Sequence, residues 1–103
     1  MHPLIDQHRD EIARLCRHHA VRRLEVFGSA ARGVDFDPAR SDADFLVEFA
    51  PTTGHDPLQR FFGLTEDLQA LLGRRVDLVE PQALRNPYII AEINRARELL
   101  YAA

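Results

Sequence analysis

Apolar and polar positions follow two periods along this chain, and the switches between them predict its elements. Residues 3–19 carry Leu4, Ile5, Ile12, Leu15 and Cys16 at helical spacing, and are expected to form one helix with that stripe inward. Residues 21–27, VRRLEVF, read as a strand with Leu24 and Val26 on a shared face. Gly28-Ser29 breaks the strand, and Ser29 is placed to cap a short helical turn through Arg32 that Gly33 stops. VDFDPARS, residues 34–41, reads as a polar loop. Over residues 42–49 the period returns to two, with Ala43, Phe45, Val47 and Phe49 on the core face and Asp42, Asp44, Leu46 and Glu48 opposite.

After the loop PTTGHD, Asp56 as N-cap and Pro57 at the first helical position open a second long helix. It is expected to run to about Leu72, burying Leu58, Phe61, Phe62, Thr65, Leu68, Leu71 and Leu72, with Gly73 as its stop. RRVDLVE at 74–80 reads as a third strand, Val76 and Leu78 on one face, Asp77 and Val79 on the other. Asn86-Pro87 then opens a last helix whose stripe is Ile89, Ile90, Ile93, Ala96, Arg97 and Leu100, leaving Tyr88, Leu99 and Tyr101 outside the core. This order of elements implies an α/β domain, a small mixed sheet with helices packed against it.

Length and composition narrow the function classes. With 103 residues and no internal repeat, the chain is expected to form a single domain, 1–103. A net charge of −3 gives no overall basic field to draw it onto nucleic acid or anionic lipid. Arg22-Arg23 and Arg74-Arg75 read as solvated strand flanks, so no direct nucleic-acid binding is expected. MHPLIDQHRD is too polar for a signal peptide, and no apolar run approaches the ~20 residues that span a bilayer. A cytoplasmic protein without membrane contact is therefore expected. Cys16, the lone cysteine, falls on an apolar stripe and reads as a buried thiol. The five histidines show no ligand spacing and are expected at the surface; His18 and His19, adjacent on a helix, point about 100° apart and cannot chelate one ion.

The chemistry lies in the carboxylates. Asp42 and Asp44 project from one face of their strand, roughly 6.5–7 Å apart along it. Like charges so placed in a partly buried site repel, and either one takes a proton or a cation sits between them. All-oxygen ligation suits Mg²⁺ or Mn²⁺ rather than zinc. Asp77 occupies the same uncommon position, a charge between apolar strand residues. If its strand neighbours that of Asp42 and Asp44, three carboxylates converge, a set able to hold two metals for phosphoryl or nucleotidyl transfer. Gly28-Ser29, a glycine after a strand, lets backbone approach a phosphate closely. A lone DxD is usually a solvated strand edge and a lone GS a plain turn; the combination is far more specific.

FGSAARG followed by SDADFLVEF resembles the signature of the minimal nucleotidyltransferases of the DNA polymerase β superfamily. The match rests on Gly28, Ser29, Ala31, Arg32, Gly33, Ser41, Asp42, Asp44, Val47, Glu48 and Phe49, and extends through the Asp77 strand and the NPYI helix. The loop between the two halves looks slightly longer than the commonest form, leaving Asp35 and Asp37 without roles and expected in solvent. The resemblance implies a polymerase β-like fold, with ATP as the nucleotide donor and two Mg²⁺ ions held by Asp42, Asp44 and Asp77. Gly28 and Ser29 would bind the triphosphate, and Arg32 would steady phosphate or brace the turn. Asp77 would also help deprotonate the acceptor hydroxyl.

Small proteins of this type resemble the antitoxin half of toxin–antitoxin modules whose partner is a HEPN-domain toxin. That implies a metal-dependent protein adenylyltransferase moving AMP to a tyrosine of the toxin within a hetero-oligomer. Two other readings stand beside it: an antitoxin that neutralises its partner by binding alone, and a small-molecule nucleotidyltransferase, for instance on an aminoglycoside. The last needs an acceptor pocket that the sequence does not reveal.

Overall fold

The computed structural model describes the chain except for residues 33–41, 52, 53 and 55 and the side chains of Ser29 and Arg32. Its elements in chain order are α1 (Pro3–Asp6), α2 (Arg9–His18), β1 (Val21–Phe27), α3 (Gly28–Arg32), β2 (Ala43–Phe49), α4 (Pro57–Leu72), β3 (Val76–Val79), a 3₁₀ turn (Pro81–Ala83), α5 (Pro87–Arg95) and β4 (Arg97–Ala102). The four strands form one mixed sheet in the order β3-β2-β1-β4. β1 is antiparallel to both its neighbours, and β3 joins β2 in parallel after the α4 crossover.

The period-two pattern sorts the two faces as expected. Leu24, Val26, Phe45 and Val47 point to one side and are fully buried beneath Ile5, Ile12, Cys16, Leu64 and Leu68 of α1, α2 and α4. Each large side chain so buried contributes about 1.5–3 kcal/mol. Val76 and Leu78 extend this core across β3, in register with Ala43 and Phe45. Burial pushes the Cys16 thiol up to about 12, which makes it an inert packing group.

Four expectations are corrected. The helix expected over 3–19 is two helices, because the chain turns at Gln7-His8, where the His8 N–H closes α1 on the Ile5 carbonyl. The Leu4 N–H donates to His2 Nδ1 at 3.0 Å, so a side chain caps the first short piece. Within α4, Leu58 and Phe62 are 65% and 57% exposed, while Leu64 is fully buried. The inward stripe is Phe61, Leu64, Leu68 and Leu72, rotated from the expected one. Its caps are as expected: Asp56 accepts from the Leu58 N–H at 2.9 Å, and Gly73 ends the helix at φ +66°. The expected last helix stops at Arg95, and residues 97–102 pair with β1 instead. Ala96, Arg97 and Leu100 fit a helical stripe, but β1 would otherwise present an unpaired row of N–H and C=O groups beside the core. Finally, His19 is not a surface residue: its side chain is 13% exposed and its Nε2 lies 2.6 Å from Asp67 on α4.

The other face of the sheet is more sparsely covered. Here α5 returns over Leu46 and Glu48, and Ile93 is buried between them and the helix. None of the described helices is long and apolar enough to cross a membrane.

Candidate functional site

One cross-strand row assembles the site. The registers pair Asp77 with Asp44, Asp44 with Phe27, and Phe27 with Arg97, running from β3 across β2 and β1 to β4. Paired residues in a ladder share a face, so both aspartates lie on the side opposite the main core. The condition on Asp77 is met, because β3 is the direct neighbour of β2. Asp42, expected as the first residue of a strand over 42–49, stands just before β2, which begins one position later at Ala43.

The Asp44 carboxyl is pushed up to about 6, first by its own burial, then by the charges of Asp77 and Asp42, and last by a hydrogen bond shared with Asp77. This is like-charge crowding that a cation would relieve. The donor set, oxygen only and anionic, fits a hard divalent ion. Yet among the described residues no three carboxylate, imidazole or thiolate groups close on one point as a finished metal centre does. Asp44 and Asp77 are in contact, and Asp42 acts on Asp44 through its charge.

Gly28 faces this pair. Its φ is +71°, and a Cβ added there would stand 2.8 Å from Asp44 Oδ2. Only glycine admits both the left-handed backbone and the close approach. α3 begins at Gly28, so the backbone of Ser29 follows beside the carboxylates as its first turn. The side chains of Ser29 and Arg32 lie outside the described residues, as do Gly33, Asp35, Asp37, Ser41 and His55.

Glu25 is a part of this face that the sequence reading missed. Its side chain is 5% exposed and accepts from three guanidinium nitrogens. Arg97 donates through Nε at 2.5 Å and Nη2 at 2.9 Å, and Arg23 donates through Nε at 2.7 Å. Arg97 Nη1 also donates to Asn94 Oδ1 at 2.8 Å. The Arg97 hydrogen bond, opposed by burial and aided by Arg23, holds the Glu25 carboxyl down near pH 2 (a pKa of about 2). The signal was present in the sequence: Glu25 sits between Leu24 and Val26 just as Asp77 sits between Val76 and Leu78.

Beside this network a cavity of about 240 Å³ opens, lined among others by Leu46, Glu48, Leu84, Ile90, Ile93 and Arg97. Larger hollows of about 360 and 440 Å³ lie along α2 and α4, and no carboxylate of the row lines either.

With a glycine pressed against paired carboxylates on adjacent strands, the geometry matches what phosphate chemistry asks of a protein. Residues 5–100 match the family described as the nucleotidyltransferase domain. The chain belongs to that family. A Methanocaldococcus jannaschii protein, named as a candidate protein adenylyltransferase, is 40% identical over 83 residues, covering 81% of this chain and 78% of the relative. A solved structure of a candidate minimal nucleotidyltransferase superposes with a TM-score of 0.70 at 34% identity, covering 91% of this chain and 90% of that one. The fold is also shared with a chain from the solved complex of a tri-AMPylated Shewanella oneidensis HEPN toxin with an MNT antitoxin, at a TM-score of 0.63 and 20% identity, covering 95% of this chain and 72% of that one. This nucleotidyltransferase therefore carries the small mixed sheet and flanking helices expected of the minimal class.

Proposed function

We infer that this nucleotidyltransferase is an antitoxin that moves AMP from ATP to a tyrosine hydroxyl of a HEPN-type toxin with which it assembles. The observation that carries the reading is Gly28 set against Asp44, with Asp77 alongside. The names of the M. jannaschii relative and of the S. oneidensis complex support the donor and the partner.

Gly28 and Ser29 take the triphosphate, and Arg32 steadies it or braces the turn. Asp42, Asp44 and Asp77 would hold Mg²⁺, two ions in the full assembly, which when bound neutralise charge on the phosphate and on the attacking and leaving oxygens. The acceptor oxygen bonds to the α-phosphorus as the bond to the α,β-bridging oxygen breaks. Pyrophosphate leaves with that electron pair, and the acceptor proton passes to Asp77. Asp44, crowded and desolvated, favours an arrangement in which a cation compensates its charge, and donor phosphates would complete the shell that Mg²⁺ takes.

The test is to co-express the chain with its genomic neighbour and weigh the neighbour intact. A gain of one or more AMP masses is expected, lost with Asp42→Asn. Silencing by a substoichiometric amount that persists after removal marks catalysis; one-to-one protection that vanishes on separation marks binding alone and overturns the reading.

A further inference from the structure

We propose that residues 1–6 brace the Gly28-Ser29 turn, and that His2, through its main-chain N–H, sets how tightly the donor is held. The inference rests on the reading of Gly28-Ser29 as the triphosphate seat and names what keeps that seat in place.

α3 is five residues long, well under the ~12–15 at which a helix holds its shape alone, so its placement is set by what it touches. Ala30 and Ala31, 1% and 4% exposed, seat one side of it in the core. The Ala30 carbonyl is among the last four of the helix, which have no partner inside it, and it accepts from the His2 N–H at 2.8 Å.

The residue that donates is itself fixed. The His2 carbonyl accepts from the N–H groups of Ile5 at 3.0 Å and Asp6 at 3.1 Å, and His2 Nδ1 accepts from Leu4. Ile5 is fully buried and pins α1 into the same core cluster as Ile12 and Ala30, with Met1 packed against it. Asp6 accepts from Arg9 Nε at 2.7 Å, which ties α1 to α2. A line of contacts therefore runs from the core through α1 to His2 and ends on α3.

Little slack exists at the other end of α3. Gly28 opens the helix so close to Asp44 that an added Cβ would stand 2.8 Å from Oδ2. Productive geometry tolerates a displacement of about 0.5 Å, so a small movement of α3 takes the seat away from the carboxylates. An α3 released from His2 samples other placements, and donor binds only the fraction correctly placed. Apparent affinity falls by that fraction, while bound donor turns over as before. Linkage makes the effect reciprocal: bound donor must tighten α1 by the same factor. His2 is thus a positioning residue that acts through α3.

The experiment compares His2→Pro with His2→Ala in the full chain. His2 has φ −64° and ψ 139°, values a proline adopts and that suit the residue before Pro3. Both variants lose the imidazole; only His2→Pro also loses the N–H, placing a ring methylene where the hydrogen met the Ala30 carbonyl. Relative to His2→Ala, His2→Pro is expected to bind Mg²⁺–ATP about three- to tenfold more weakly, the worth of one such hydrogen bond. Transfer to the partner at saturating ATP should stay within about twofold. A second measurement needs no variant: hydrogen exchange at the Ile5 and Asp6 amides of the parent should slow by a like factor when Mg²⁺–ATP is added. Equal donor affinity in the two variants overturns the inference, and so does exchange at Ile5 and Asp6 that ignores the donor. A lower melting temperature and slower turnover at unchanged affinity overturn it as well, because the segment is then a structural support. A parent that binds no Mg²⁺–ATP overturns the triphosphate reading of Gly28-Ser29 and the brace with it, a failure visible before any variant is made.

Discussion

Gly28→Ala separates backbone strain from catalytic geometry, and its cost can be worked out beforehand. The residue sits at φ +71°, where a Cβ costs roughly 1–2 kcal/mol of conformational energy. The new methyl would stand 2.8 Å from Asp44 Oδ2, and ordinary contact begins at 3.4 Å, so a retreat of about 0.6 Å (3.4 − 2.8) is required. The obstructing atom is the end of a side chain, so the carboxylate gives way and the fold survives. The expected loss of stability is about 1–2 kcal/mol, a fall in melting temperature of roughly 4–16 °C for a domain of this size. Catalysis should suffer more. Reacting groups must be held within about 0.5 Å, and a misplacement near 1 Å costs about 10²-fold, so transfer should drop by roughly 10- to 100-fold.

Thermal unfolding and initial-rate measurement of partner adenylylation, run on Gly28→Ala, Asp44→Ala and the double variant, divide the two costs. Asp44→Ala removes the obstructing oxygen, so in that background Gly28→Ala should show only the backbone strain. A Gly28→Ala protein that transfers at the parental rate would refute the reasoning, since the carboxylate would then tolerate displacement. Unfolding at room temperature would refute it too, because the site would be a structural joint.

Asp44→Asn should abolish transfer yet melt higher than the parent at pH 7, by about 1 kcal/mol after solvent screening; the raised carboxyl makes that gain fade as pH falls through about 6, and urea titrations across pH check it. Glu25 has the opposite sign. Its carboxyl titrates near 2 in the fold, against 4.5 ordinarily, so its contribution is complete above about 4.5 and is lost as pH falls toward 2. Glu25→Gln should therefore be less stable at neutral pH by about 1–2 kcal/mol, discounted for the partly exposed arginines, with the two proteins converging near pH 2. Leu64→Ala should cost about 2–5 kcal/mol by denaturant melting, whereas Phe62→Ala should stay within about 0.5 kcal/mol, and the reverse order would mean that the α4 stripe is misassigned. Mg²⁺ or ATP alone should barely move the melting temperature and the two together should raise it, since donor phosphates complete a cation shell that the aspartates leave open.

What the sequence discloses here depends on how local the cause is. The carboxylate pair was legible because a charge between apolar strand residues breaks an alternation visible within seven positions, and parallel pairing then set Asp44 beside Asp77. Caps were legible for the same reason: Asp56-Pro57, Asn86-Pro87 and Gly73 act within one turn. The C-terminal segment was not. Its helical stripe is real arithmetic, but whether residues 97–102 coil or extend is decided by the vacant edge of β1, more than 70 positions earlier in the chain. The same distance hid the second half of the site. Glu25 invites notice by itself, yet its meaning comes from Arg97, and that partnership exists only because the last strand lies against β1 with Phe27 opposite Arg97. A stripe reading that places Arg97 on a helix therefore loses the strand and the Glu25–Arg97 ion pair in one step. It loses the cavity of about 240 Å³ with them, because Arg97 lines one side of it and Ile90 and Ile93 of α5 line another.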